Sequence, residues 1–258
     1  LTWTQSPTLA FVRAQKTLPP ARFPQMALVI TPQDALRLAD RRDDLEVIRP
    51  QRLLCHLDAT LGDVEQQIEA FAQAQMVCFQ THFDLEYICD CSDDPEADLV
   101  ELSAYIDFAR FTPDSVMICP SVDRQSTPPG SDWPACPPLE EIHKLADQIF
   151  PDTPHGGGMV SLFTELNRKR PPVELLDFVS HGLCPIVHAA DDLSVMETLE
   201  AVPHITRSMR AIIGDKPYRI GPSTIAMRQN PYGRRTMANP NRERLCMTDD
   251  DPRHHAQF

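Results

Sequence analysis

The sequence predicts an α/β fold, a (β/α)8 TIM barrel incomplete at its C-terminus, with about seven of its strands present. Three observations carry this expectation. Short apolar runs of strand length alternate with longer runs at helical spacing, which implies βαβ units and a parallel sheet. The number of such runs favours a barrel over an open doubly wound sheet. The chain has 258 residues and no internal repeat, which suits one barrel of about 250 residues.

Each element has a local reason. Residues 1–20 are polar and mixed and close on Leu18-Pro19-Pro20, so they read as the tail of a preceding segment or a linker, with the barrel domain over 21–258. Residues 26–30 are the first strand. Thr31 then offers an N-cap hydroxyl and Pro32 sits where a helix needs no N–H, so a short helix follows to Asp40. Residues 53–57 are the second strand, ending at Asp58. Residues 61–74 carry apolar side chains at helical spacing. Residues 76–79 read as the third strand. A helix over 95–108 places Leu99, Leu102, Tyr105 and Ile106 on one face. Residues 116–119 are the fourth strand, stopped by Pro120. Residues 121–138 form a long proline-rich loop, a kind of segment that often carries function. A helix over 139–150 follows.

The glycines at 156–158 precede a fifth strand over 159–163. Residues 177–181 are the sixth strand, and 184–192 an irregular connection. A helix spans 194–213 despite Pro203, and 218–222 are the seventh strand. After Met227 the chain turns polar, with Asn-Pro at 230–231 and 239–240. No eighth strand is legible, so the native protein is expected to continue beyond Phe258 and cover the open edges.

Lys plus Arg total 24 against 37 for Asp plus Glu, a net charge of −13. That balance argues against a nucleic-acid partner or an anionic lipid surface, both of which need a basic footprint. No apolar run is long enough to span a membrane, and no signal peptide is visible. Eight cysteines, several inside apolar runs, read as reduced thiols. The expectation is a cytoplasmic enzyme with no cofactor and no metal. The sequence is silent on oligomeric state.

In a parallel barrel the active site lies at the carboxyl ends of the strands. This rule selects Asp58, His82, Glu165, Asn167, Arg168, His181, His188, Asp191, Asp192, Arg228 and Asn230. Glu165 follows an apolar strand and sits beside Asn167 and Arg168. A carboxylate with cationic neighbours can be tuned for proton transfer, and the bland alternative is a capping or salt-bridged Glu. His188 precedes Asp191 and Asp192, either of which could hold its tautomer while the other caps the following helix. The glycines at 156–158 are not a phosphate loop, and no Gly-x-Ser-x-Gly elbow is present.

Three strings stand out within residues 157–233. They are Phe163-Thr164-Glu165-Leu166-Asn167-Arg168-Lys169-Arg170-Pro171-Pro172, Pro185-Ile186-Val187-His188-Ala189-Ala190-Asp191-Asp192 with Ser194-Val195-Met196-Glu197-Thr198-Leu199-Glu200, and Gly221-Pro222-Ser223 continuing through Met227-Arg228 to Asn230-Pro231-Tyr232-Gly233. This stretch, about a third of the chain, resembles the barrel domain of D-apionate lactonases. The resemblance implies a glycosidase-like fold, further segments on both sides of the barrel, and hydrolysis of a sugar-acid lactone formed during apiose catabolism. On that chemistry Glu165 is expected as the base that activates water. His188, supported by Asp191 or Asp192, would protonate the leaving ring oxygen. Asn167, Arg168 or Arg228 would steady the oxyanion or hydroxyls, with Asp58, His181 and Asn230 completing the substrate contacts. The alternatives are a glycoside hydrolase using a carboxylate pair roughly 5–5.5 Å apart if retaining, or a non-catalytic sugar-binding barrel.

Overall fold

The computed structural model describes residues 24–90, 94–232 and 236–253. The expected tail over residues 1–20 lies outside the described residues. Seven strands pair in chain order, every pair parallel: β1 (Ala27–Ile30), β2 (Arg52–Asp58), β3 (His82–Cys89), β4 (Ser115–Pro120), β5 (His155–Leu162), β6 (Phe178–Leu183) and β7 (Tyr218–Ser223). The helices between them are α1 (Pro32–Arg37), α2 (Arg42–Ile48), α3 (Val64–Val77), α4 (Pro95–Ala109), α5 (Leu139–Ile149), α6 (Phe163–Lys169) and α7 (Asp192–Ile213). Among the described residues no further strand pairs with β7 or β1.

The sheet is curled into a nearly closed barrel, and side chains prove it. Arg219 on β7 donates to Ser115 Oγ on β4 at 2.9 Å and lies 3.6 Å from Asp84 on β3. In a flat sheet β3 and β7 would be four spacings apart, roughly 19 Å, farther than an arginine extends. Strand alternation then sets two faces. Leu53, Cys55 and Leu57 of β2, Phe83, Leu85 and Tyr87 of β3, and Val116 and Ile118 of β4 pack outward with Ile68, Phe71, Leu99, Leu102 and Ile142 of the helices. The other face points into the barrel and is strongly polar: Arg52, His56 and Asp58 from β2, Asp84 and Glu86 from β3, Ser115 from β4.

The local signals mostly act as read. Thr31 accepts from the Asp34 N–H while the Asp34 carboxylate accepts from the Thr31 N–H, a capping box closed by Pro32. Two readings need correction. Residues 76–79 are not a strand. They end α3 and begin the next loop, with Met76 73% and Phe79 70% exposed. The third strand is β3, whose polar residues at 82, 84 and 86 alternate with apolar ones because its inner face meets cations from other strands. The correction also moves His82 to the amino end of β3, opposite the expected mouth, where it pairs with Asp114 at 3.0 Å. The second correction is that Gly156, Gly157 and Gly158 lie inside β5 rather than before it. A Cβ on Gly158 would sit 1.9 Å from the Ser180 carbonyl oxygen, and its φ of +137° favours glycine.

Gly157 makes room for a histidine pair in the outer layer. A Cβ there would lie 2.6 Å from the His143 ring. His143 of α5 stacks on His155 of β5 with centroids 6.0 Å apart. Both rings are buried, and among the described residues His143 Nδ1 and His155 Nε2 have no hydrogen-bond partner. Cys55, Cys78, Cys119, Cys184 and Cys246 carry free thiols. Burial pushes the Cys55 and Cys119 thiols well above the ordinary value, so neither is an activated nucleophile. No helix among the described residues is long and apolar enough to cross a membrane.

Candidate active site

The carboxyl ends of the strands form the mouth of the barrel, and the proline-rich loop is tied over it. Asp58 ends β2 and accepts from Thr60 N–H and Oγ through Oδ1, and from Arg124 Nη1 at 2.6 Å through Oδ2. Lys169 of α6 pairs with Asp123 and lies 5.9 Å from the Trp133 ring centroid. Burial outweighs the lysine at Asp123, so its carboxyl rises above the ordinary value.

Glu165 belongs to the same tie. Its Oε1 accepts from Ser126 Oγ at 2.9 Å and Arg168 Nη1 at 2.7 Å, and its Oε2 accepts from the Thr127 N–H at 3.0 Å. The carboxylate is 6% exposed and engaged by three donors, two of them from the loop. That is the geometry of an anchor. Asn167 is exposed and among the described residues bonds locally, accepting from Arg170 Nη2 at 2.8 Å.

The second predicted group is dispersed. His188 is exposed, with its ring against Tyr232 at 5.9 Å between centroids. Asp191 caps α7, accepting the Ser194 N–H on one oxygen and the Ser194 hydroxyl on the other. Asp192 pairs with Arg244 and Arg253 from the far end of the chain. His181 faces the helix layer, fully buried, with Nε2 2.7 Å from the Tyr218 hydroxyl and Phe163 beside it. Asn230 lies at the mouth and accepts from the Tyr232 N–H. Glu165, His188, Asp192 and His181 therefore do not converge on one point.

Arg228 converges on a different one. It follows β7 and reaches into the barrel, where its Nη2 donates to Glu86 Oε1 at 2.6 Å. The same oxygen lies 2.7 Å from His56 Nδ1. His56 and Glu86 are direct register partners on β2 and β3. Glu86 is 1% exposed, whereas His56 and Arg228 each keep 19% of the side chain open. Burial by itself would raise the Glu86 carboxyl, but Arg228 and His56 override it and hold it at about 2. Among the described residues Arg228 Nη1 is buried without a partner, as is Gln229 Oε1. Both residues line a small cavity at the ends of β5, β6 and β7, with Ser161, Leu183 and Thr224. Its enclosed part measures about 20 Å³, room for about one water molecule, so a sugar-sized ligand would lie across the open mouth.

Sequence reasoning placed Arg228 and missed its partners. The signal was available: polar residues at 52, 56 and 58 and at 82, 84 and 86 share one strand face in each segment. At the amino end of the barrel a separate layer joins Arg52, Asp84, Ser115 and Arg219, with Arg52 Nη2 donating to Asp84 Oδ1 at 2.8 Å. With Asp114 Oδ2 3.9 Å from Arg52 Nη2, the layer sets two carboxylates against its two arginines and reads as a plug. Among the described residues no group of three or more His, Cys, Asp or Glu is arranged to hold a metal.

The family model for the D-apionate lactonase TIM barrel domain matches residues 26–258. A D-apionate lactonase from Brucella anthropi is 50% identical over 237 residues, covering 92% of this chain and 39% of the relative. The chain thus spans about two fifths of that relative's length. Among solved structures, one of two fungal beta-1,4-galactanases is 12% identical with a TM-score of 0.48, covering 73% of this chain and 67% of that one. An isomerase from Streptomyces coelicolor A3(2) is 10% identical with a TM-score of 0.39, covering 78% and 46%. Likenesses this slight carry no argument about chemistry.

Proposed function

The chain belongs to the D-apionate lactonase family, as its TIM-barrel domain, and on that premise we propose that it hydrolyses a sugar-acid lactone, D-apionate lactone to D-apionate, in cytoplasmic apiose catabolism. The observation that carries the reading is 50% identity to the Brucella anthropi enzyme across 92% of the chain. Ring opening needs water activated against a carbonyl carbon, a stabilised oxyanion, and a proton for the departing ring oxygen. Arg228 fits the second role, because it lines the mouth cavity and its buried Nη1 donor has no partner among the described residues. The glycosidase alternative finds less support. Asp58, Glu86 and Glu165 are each held by a cation of their own.

The test is pH-stat titration of D-apionate lactone, with spontaneous hydrolysis subtracted. It uses the full chain, and also the chain extended by the flanking segments its longer relative carries. Turnover above background in either form supports the reading; none in both, with each folded, rejects it.

Glu165 is proposed as the anchor of the 121–138 loop, not as the base. Glu165→Gln keeps an acceptor for Ser126 or Thr127 but loses the ion pair to Arg168. Turnover is expected to fall by less than about tenfold, against the ~10²–10⁴ loss typical of a removed general base. Limited proteolysis within 121–138 is expected to speed up. A drop of a thousandfold with an intact loop would return the base role to Glu165.

A further inference from the structure

We infer that His56 is the catalytic base of the ring opening, that Glu86 is the residue that positions it, and that Arg228 receives the oxyanion. The inference rests on the lactone reading above and supplies its machinery.

The argument begins with hydrogen-bond roles. Glu86 Oε1 can only accept and Arg228 Nη2 can only donate. His56 Nδ1 stands 2.7 Å from the first and 3.0 Å from the second. It cannot serve both, and the shorter contact is to a carboxylate that stays ionised at neutral pH. Nδ1 therefore carries the proton and donates to Glu86. That leaves the lone pair on Nε2, on the opposite side of the ring. A buried carboxylate that fixes an imidazole tautomer also stabilises the imidazolium formed when the imidazole takes a proton. The strand register enforces the pairing, because His56 and Glu86 are opposed residues of two hydrogen-bonded strands. Positions on rigid strands hold a catalytic geometry better than loop positions do. His188, by contrast, sits on the irregular connection, where its ring meets Tyr232 rather than a carboxylate among the described residues.

The steps balance without a co-reactant. His56 Nε2 takes a proton from water as the water oxygen bonds to the lactone carbonyl carbon. The π electrons of the carbonyl move to its oxygen, and Arg228 Nη1–H donates to that oxyanion. The tetrahedral centre collapses, re-forming the carbonyl and breaking the bond to the ring oxygen. The His56 imidazolium returns its proton to that oxygen, which leaves as a hydroxyl. The new carboxylic acid loses its proton to solvent. The substrate class is a cyclic ester of a polyhydroxy acid.

The experiment measures lactone turnover, thermal unfolding and imidazole rescue in whichever form of the protein turns over. His56→Ala is expected to lower kcat about 10²–10⁴-fold with its melting transition kept, and millimolar imidazole should restore activity at least tenfold. A residue that only fills the barrel would show no rescue. Glu86→Gln should lower kcat while leaving KM within about threefold, the mark of an interaction made in the transition state. Where the alanine variant does not fold, His56→Gln replaces it; it can still bond Glu86 but cannot take a proton, and the same kcat loss is expected. Turnover within threefold of the parent in a folded His56 variant would overturn the inference while leaving the lactonase reading intact. Absence of turnover in the parent protein would overturn both.

Discussion

Replacing Arg228 with leucine is expected to cost about 3–5 kcal/mol of stability, beyond any effect on turnover. The reason is what remains. Glu86 is 1% exposed, and removing one partner of a buried ion pair leaves an uncompensated charge. The pH dependence gives the result its signature. The Glu86 carboxyl is held at about 2, below its ordinary 4.5. A depressed acid contributes stability that is present above the unfolded value and lost as pH falls through the folded one. Here that window runs from about 4.5 down to about 2, worth on the order of 3 kcal/mol. Without Arg228 the burial contribution takes over and the carboxyl protonates at higher pH. The gap between parent and Arg228→Leu should therefore be widest near neutral pH and narrow as the solution is acidified. Urea unfolding followed at pH 7, 5 and 3.5 would check it. A gap that stayed constant across that range would mean Arg228 does not set the charge state of Glu86.

The sequence showed where the barrel mouth lies better than which side chains meet inside it. Asp58, Glu165 and Arg228 were found because each follows a strand, and strand ends can be read from apolar runs and their stops. Glu86 was hidden because its strand was displaced. The residues at 76–79 are apolar enough to imitate a strand, while β3 carries three polar residues that imitate a surface. Their meaning depends on partners from β2, β7 and the segment after it, which only the closed register brings close. Asp192 was misjudged for the opposite reason. It is near His188 in the chain, yet its oxygens are taken by Arg244 and Arg253, more than 50 positions away. Short-range spacing is informative for caps, as at Thr31 and Asp191, where the partner is three residues on. It is weak for a barrel interior, whose contacts cross the sheet.

That interior contrasts with the stacked pair of the outer layer, where among the described residues His143 Nδ1 and His155 Nε2 have no hydrogen-bond partner. As pH falls below about 6.5 the protein is expected to lose stability steeply, led by His143. Burial, reinforced by His155 alongside, lowers the His143 ring from 6.5 to about 3, and burial lowers His155 in the same direction. The unfolded chain takes up these protons near 6.5 and the folded chain refuses them until far lower pH. Stability is therefore full above the unfolded value and is lost on the way down to the folded one. The slope for one such histidine is about 1.4 kcal/mol per pH unit, and across the His143 window the loss is on the order of 5 kcal/mol. His143→Leu fills a similar volume against Gly157 and carries no proton. Its unfolding free energy between pH 6.5 and 4 should fall less steeply than the parent's by about that one-histidine slope, with the two proteins similar at pH 7.5. Hydrogen-ion uptake on unfolding, measured at pH 5, should drop by nearly one proton in the variant. Equal slopes in parent and variant would show that His143 is already protonated in the folded state, and the stacked pair would then have to be held by a charge the helix layer does not supply.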